Sequence, residues 1–597
     1  MGIAWRFTGY AHHVLGRREW TTLELEREMS RHHRKQTGPR KRGLFFITVT
    51  LLVIILAGVY IKLEVLPSTK HVTPDFDGLT KPIFVAGELQ KVSAMGTKEG
   101  IKLPLSVIQA QVDSTIRYEE SSKTIIMATK DKLIHFKTDQ LTGKVNSKPF
   151  ELHFAAEQVK GTLYLPLAPL QELYGLQLHE NSETGIVTMY KAGDTIQHAK
   201  VVSFKKKTRT VPLRVGPSIH QPILADVEQG APLQIWATVD GWYKVQLDNG
   251  YVGFMRQADV HLEEKITVES GPSEEEKQTA PIEGPINLIW EAVYNKNPDT
   301  SKIGPLPGVN VVSPTWFSLL DGKGNVQSKA DSTYVQWAHS QNMQVWALFS
   351  NSFEPKLTTA ALSTFESRFQ MIQQVLSYAR IYRVDGINID FENIYTKDKE
   401  NFTQFMRELS PMLREQGLIV SVDVTPKSNS EMWSAFLDRR ALGEVVDYMM
   451  VMSYDEHWAS SPTAGSVASL PWVENSIRRI IDEDNVPPSK LILGIPLYTR
   501  IWSETSEGGS TKVSSKTAGM KTIRELLDKL KLEPTFDAST GQHYVEYKED
   551  GVKKRIWIED EVSVKARVDL SKELNLAGTG SWTRSFAVPE IWDDLAP

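Results

Sequence analysis

The chain of 597 residues contains no cysteine. That excludes disulfides, iron–sulfur clusters and thiolate zinc sites, and leaves no thiol for an oxidising compartment to act on. An excess of either charge is also missing: 68 Lys and Arg stand against 73 Asp and Glu, a formal net charge of -5. No basic stripe occurs outside the N-terminus, so nucleic acid is not an expected partner. Neither a cofactor nor a metal is expected. What is present is ordinary globular material, 41% hydrophobic and 24% charged, in a chain several times the roughly 100–200 residues of one domain. Three or four folded units are expected.

Residues 44–61 read LFFITVTLLVIILAGVYI, with no charge. Eighteen residues at about 1.5 Å each approach the roughly 30 Å of a bilayer's hydrocarbon core, so one transmembrane helix is expected. A buried core helix of this length would show a polar face, and a cleaved signal peptide would have a shorter apolar region. Residues 1–43 hold ten Lys and Arg, including Arg31, Arg34, Lys35, Arg40, Lys41 and Arg42, against four Glu. The positive-inside rule makes them a cytoplasmic tail and puts everything after about residue 65 outside.

Between residues 85 and 193 an ungapped repeat recurs at an offset of 62, pairing Pro104 with Pro166, Ile108 with Leu170, Gln109 with Gln171, Ile125 with Val187 and Met127 with Met189. Each copy reads as a short helix followed by two strands, a duplicated α+β domain. It resembles the duplicated, non-catalytic domain at the N-terminus of copper amine oxidases. No copper is implied, because the segment lacks a His cluster of ligand spacing. Residues 200–262 alternate apolar and polar positions with turns at Gly230, Asp240-Gly241 and Asn249-Gly250, the pattern of a small β-barrel. This part is similar to a bacterial SH3 domain, which implies a cell-wall peptide as a possible partner. Its Trp236, Trp242 and Tyr243 read equally as a ligand groove or as core. Residues 263–285 form a linker, rich in Pro, Glu and Gly from Gly271 and too polar to bury a core.

From residue 286 to 597 strand-like runs alternate with amphipathic stretches, as in repeated βα units. The runs begin near residues 287, 309, 343, 384, 418, 446, 491 and 576. Eight of them predict a (β/α)8 TIM barrel with its site at the strand C-termini. About 75 residues between the last two runs, near 503–560, predict an α+β insertion. In the fourth run, period-2 alternation puts Asn388, Asp390 and Glu392 on one face and Ile387, Ile389 and Phe391 on the other. Inward carboxylates in a buried strand cost several kcal/mol unless they are partnered or share a proton. Two of them at i and i+2 lie about 6–7 Å apart at Cα, close enough to split their pKa values and keep one acid protonated near neutral pH. Paired acids at a solvated strand end would be the purely structural reading.

Asp385 to Glu392, DGINIDFE, resembles the DGxDxDxE signature of family 18 glycoside hydrolases. The resemblance implies that Glu392 protonates the glycosidic oxygen. It also implies that Asp390 steadies the substrate's own N-acetyl group as that group attacks the anomeric carbon. Asp385, which opens the signature, is expected behind the site. Met452-Ser453-Tyr454-Asp455 resembles the family's MxYD, with Tyr454 catalytic on the acetamide and Met452 and Asp455 near the sugar. Trp582 matches the tryptophan beneath the cleaved sugar, and GIPLYTRIW, from Gly494, puts Tyr498 and Arg500 in the substrate site. Asn388 departs from the family's middle Asp: an amide can hydrogen-bond Asp390 but cannot share its proton. Asn there is familiar in the spore-cortex and cell-wall glucosaminidase branch. The expected substrate is an N-acetylglucosamine-containing glycan, peptidoglycan or cortex glycan first. Rival readings are a chitinase and a silent, lectin-like barrel that only binds.

Overall fold

A computed structural model describes residues 40–60, 62, 65–202, 209–269, 282, 284–507 and 510–596. Residues 1–39 of the expected tail and most of the linker, 270–281 and 283, lie outside the described residues. The chain divides into two units.

The first unit comprises Met1–Lys70 and Ser218–Pro222. Among its described residues, one long helix runs Arg40–Tyr60. The side chains from Phe45 to Tyr60 are exposed on every side of it. Thr48 and Thr50 donate their hydroxyls to the helix's own carbonyls at Phe45 and Phe46, so both threonines are satisfied within the helix. Among the described residues no helix is long and apolar enough to cross a membrane, and the expected span is not shown by the structure.

The second unit holds the rest. Its duplicated segment shows why the repeat exists. Pro104 and Pro166 each precede a short helix, Leu105–Gln111 and Leu167–Tyr174, where a fixed φ and a missing N–H suit a helix start. The strands before these helices pair antiparallel, and Leu103 faces its own equivalent, Leu165, as a local two-fold between the copies requires. Ile108, Leu170, Ile125, Val187, Met127 and Met189 share one core. The strands of Ile125 and Val187 lie in different sheets: Thr124–Ala128 joins a five-stranded sheet, whereas Val187–Tyr190 pairs with Ile83–Val85.

Seven strands between Thr195 and Thr267 form the small β-domain. Trp236 does not line a free groove. Its indole stacks on Tyr190 of the duplicated segment at 6.4 Å and donates to Gln246 at 3.1 Å. It also covers Gly87, where a Cβ would lie 2.7 Å from the ring. Of the two readings open to Trp236, packing is the one realised.

The barrel closes through eight parallel strands: β1 (Ile286–Glu291), β2 (Val311–Leu319), β3 (Gln344–Ser350), β4 (Gly386–Asp390), β5 (Ile419–Val424), β6 (Tyr448–Val451), β7 (Leu491–Pro496) and β8 (Gly578–Trp582). Pairing runs in chain order and returns from β8 to β1. Alternation sorts the side chains into two layers. Ile387, Ile389, Val420, Val422 and Leu493 pack outward against helices such as Phe365–Tyr382 and Lys399–Glu415. Leu288, Trp290, Trp346, Leu348, Met450 and Ile492 fill the interior. The insertion begins directly after β7, a few residues earlier than expected. Tyr498–Glu507 is the first strand of a five-stranded antiparallel sheet backed by the helix Met520–Leu530.

The duplicated segment sits on the barrel's helical layer. Ile126 and Leu133 join that layer's core. The fully buried Arg368 bridges Glu408 on the neighbouring barrel helix and Glu119 of the duplicated segment, each at 2.7 Å. Glu119 also accepts from the N–H of Phe365 at 2.6 Å, in the first turn of the helix whose N-cap is Thr364.

Candidate active site

The interior floor is aromatic. Trp346 stacks on Tyr448 at 5.4 Å, and it fits because residue 386 is glycine: a Cβ there would lie 2.9 Å from the indole and 3.0 Å from Ile419. Above it, β4 turns Asn388 and Asp390 inward, both buried, with Glu392 just past the strand end.

Asn388 is fixed from both sides. Its Oδ1 accepts from Ser421 Oγ and its Nδ2 donates to Asp423 Oδ2, each at 2.8 Å. Asp423 is 3% exposed and was not singled out in the sequence. The Asp390 and Glu392 carboxyls face each other closely enough to shift one another. Burial first, then the neighbouring Asp423, drives Asp390 well above the ordinary carboxyl range. Glu392 is raised by burial, then by Asp390 and Asp455. Contact between the two lowers Asp390 and raises Glu392, the direction that goes with a proton held on Glu392.

The backbone of Glu392 is clamped. Asn351, at the end of β3 and fully buried, accepts from Glu392 N at 3.1 Å and donates to Glu392 O at 2.7 Å. It also donates to Thr358 at 2.9 Å. Asn351 too escaped the sequence reading.

After β6, burial and then Tyr498 and the three acids push Tyr454 up, so its hydroxyl keeps its proton. Asp455, at φ 61°, accepts from Tyr498 Oη at 2.7 Å and from Arg500 Nη2 at 2.6 Å. Met452 is buried, and Tyr498 and Arg500 are 5% exposed. These two hold Asp455 in place from behind. Trp582 ends β8 with its ring 6.2 Å from Trp290 and stays half-buried, as does Glu392; both retain access to solvent.

Asp385 is not brought to the site. It precedes β4 at the opposite end of the barrel, where its Oδ2 accepts from Val345 N and lies near His339 Nε2, both at 2.8 Å. It joins strand to helix there. The other expected residues converge at one mouth.

A closed eight-stranded parallel barrel with Asp390, Glu392 and Tyr454 gathered at one mouth, each raised by burial and by its neighbours, is the arrangement of a glycoside hydrolase domain. Residues 309–587 match the glycosyl hydrolases family 18. Residues 85–189 match the copper amine oxidase N-terminal domain and residues 209–261 the bacterial SH3 domain. Among curated relatives, an uncharacterized glycosylase, YvbX, of Bacillus subtilis (strain 168) is 25% identical over 48% of this chain and 83% of its own. A cortical fragment-lytic enzyme of the same organism is 25% identical over 42% of this chain. The chain spans 59% of that enzyme's length. A chitinase structure from Chromobacterium violaceum ATCC 12472 is 23% identical, with a TM-score of 0.47, over 52% of this chain and 98% of that one.

Proposed function

We propose that this chain hydrolyses β-1,4-linked N-acetylglucosamine polymers with retention, using the substrate's own N-acetyl group as nucleophile. Glu392 delivers its proton to the glycosidic oxygen. Asp390 orients and stabilises the acetamide while the acetamide oxygen attacks the anomeric carbon and the glycosidic C–O bond breaks, leaving an oxazolinium. Water, giving its proton to Glu392, then opens it with net retention. Tyr454 donates to the acetamide oxygen, Asp455 contacts the sugar and Trp582 supports it from below. The carrying observation is the pair of acids at the end of β4, with Glu392 raised by burial and then by Asp390 and Asp455, which supports an acid that stays protonated where a leaving group needs one.

Peptidoglycan or cortex glycan is the favoured polymer. Support comes from the names of relatives such as the cortical fragment-lytic enzymes and from the company of a bacterial SH3 domain. The uncharged run 44–61, with exposed side chains from Phe45 to Tyr60, supports membrane attachment of the N-terminal part with the barrel outside. Fragments released by the purified protein from sacculi and from chitin oligomers test the choice. Muropeptide release is expected. Release from chitin oligomers alone would replace the reading with a chitinase, and binding without release would replace it with a lectin.

A further inference from the structure

β5 runs parallel to β4, and its register pairs Asn388 with Ser421 and Ile389 with Val422. The next step along both strands brings Asp423 level with Asp390 inside the barrel. Asp423 is buried and meets Asn388 at 2.8 Å. Its Oδ1 and Asp390 Oδ1 are both buried without a hydrogen-bond partner, so each carboxyl has an unpartnered oxygen at the same level of the interior. We propose that Asp423 is the third carboxyl group of the site, a positioning residue that fixes the Asn388 amide and sets how readily Asp390 ionises.

This rests on the hydrolase reading above. It gives the Asn388 departure a physical sense. The acid absent from the middle of the motif is supplied by the neighbouring strand, one hydrogen bond away, and Ser421 fixes which end of the amide faces it. The groups around Asp423 that titrate are Asp390 and Glu392 from β4 and Tyr454 beyond β6. Asp455, with Tyr498 and Arg500 attached, acts on Glu392. No Lys or Arg contributes to the shift of Asp390, Glu392 or Asp423. The three acids therefore share protons, and each shapes the ionisation of the others.

Asp423→Asn keeps the shape and can still accept from Asn388, so it removes the ionisable group alone. The parent, this variant, Asn388→Asp and the exchange Asn388→Asp with Asp423→Asn would be assayed by kcat/KM against pH on the polymer the parent cleaves. With Asp423 gone, Asp390 loses its proton more readily. The acidic limb is expected to move to lower pH, and kcat to fall on the order of 10-fold or more. The exchange variant, with one acid and one amide restored to the pair, is expected to regain most of that loss. An unmoved limb with unchanged kcat/KM in Asp423→Asn, or an exchange variant no better than the single one, would overturn the proposal. Retained cleavage in Glu392→Gln would instead overturn the proton-donor role of Glu392, and a parent that cleaves neither polymer would overturn the hydrolase reading beneath it. Infrared titration of the carboxyl C=O stretch needs no turnover. Asp423→Asn should remove one buried carboxyl and shift the others to lower pH, and an unshifted remainder would also overturn it.

Discussion

Glu392 and Asp390 are expensive side chains to bury, and the expense has a sign. Both are raised above the ordinary carboxyl range by burial and by neighbouring acids. From about pH 4 upward the unfolded chain releases these protons while the folded chain keeps them, so folding stability falls as pH rises through that window. Glu392→Gln removes one such group. Its melting temperature is expected to match the parent's near about pH 4 and to exceed it increasingly toward about pH 8. Calorimetry at both pH values checks this, and a gap that does not change with pH would contradict it. The Glu392 and Asp390 pair was legible because period 2 alone puts both on one face. Asp423 was not, although its strand was drawn correctly. Parity says which face a residue takes, but only strand register says which residue of the next strand lies beside it.

At the scale of elements, the acid depends on what holds the end of β4. Asn351 bonds both the N–H and the C=O of Glu392 and reaches Thr358 as well. Asn351→Ala leaves those groups unpaired in a buried place, a cost of about 1–3 kcal/mol. Chemical denaturation should show that loss, together with a fall in kcat larger than any change in KM; a stable variant with normal kcat would remove Asn351 from its role. The eight strands were visible because β-branched runs punctuated by turns alternate with amphipathic stretches. The insertion's start was misread because Tyr498 to Trp502 continues the apolar pattern of β7 without a break, although it has already left the barrel. Asp385 was drawn toward the site because it shares the motif with Glu392. A strand separates the two ends of that motif, and Asp385 serves the far end.

At the scale of the molecule, the duplicated segment and the barrel share a buried charge. Arg368 has no exposed surface and meets Glu119 and Glu408 together. Removing one partner of a buried ionic group costs about 3–5 kcal/mol, mostly because the remaining charges lose their compensation. Arg368→Ala leaves two carboxylates facing each other. Such a variant should melt earlier, and its duplicated segment should become sensitive to limited proteolysis before the barrel; an unchanged melt would show that the junction bears no strain. The repeat itself was readable, since equivalent apolar residues share one core. Docking was not, because Ile126 and Leu133 look in sequence like any other residues of that core, yet belong to the barrel's outer layer. Trp236 carries the same lesson, for its aromatic character fits a groove or a contact equally well.

The central claim is that the proton on Glu392 goes to the departing sugar. It is tested most directly by comparing kcat/KM of Glu392→Gln with the parent on one polymer, with matched circular dichroism and retained glycan binding. A loss on the order of 10²–10⁴-fold or more is expected. A variant that cleaves within a few-fold of the parent would contradict it.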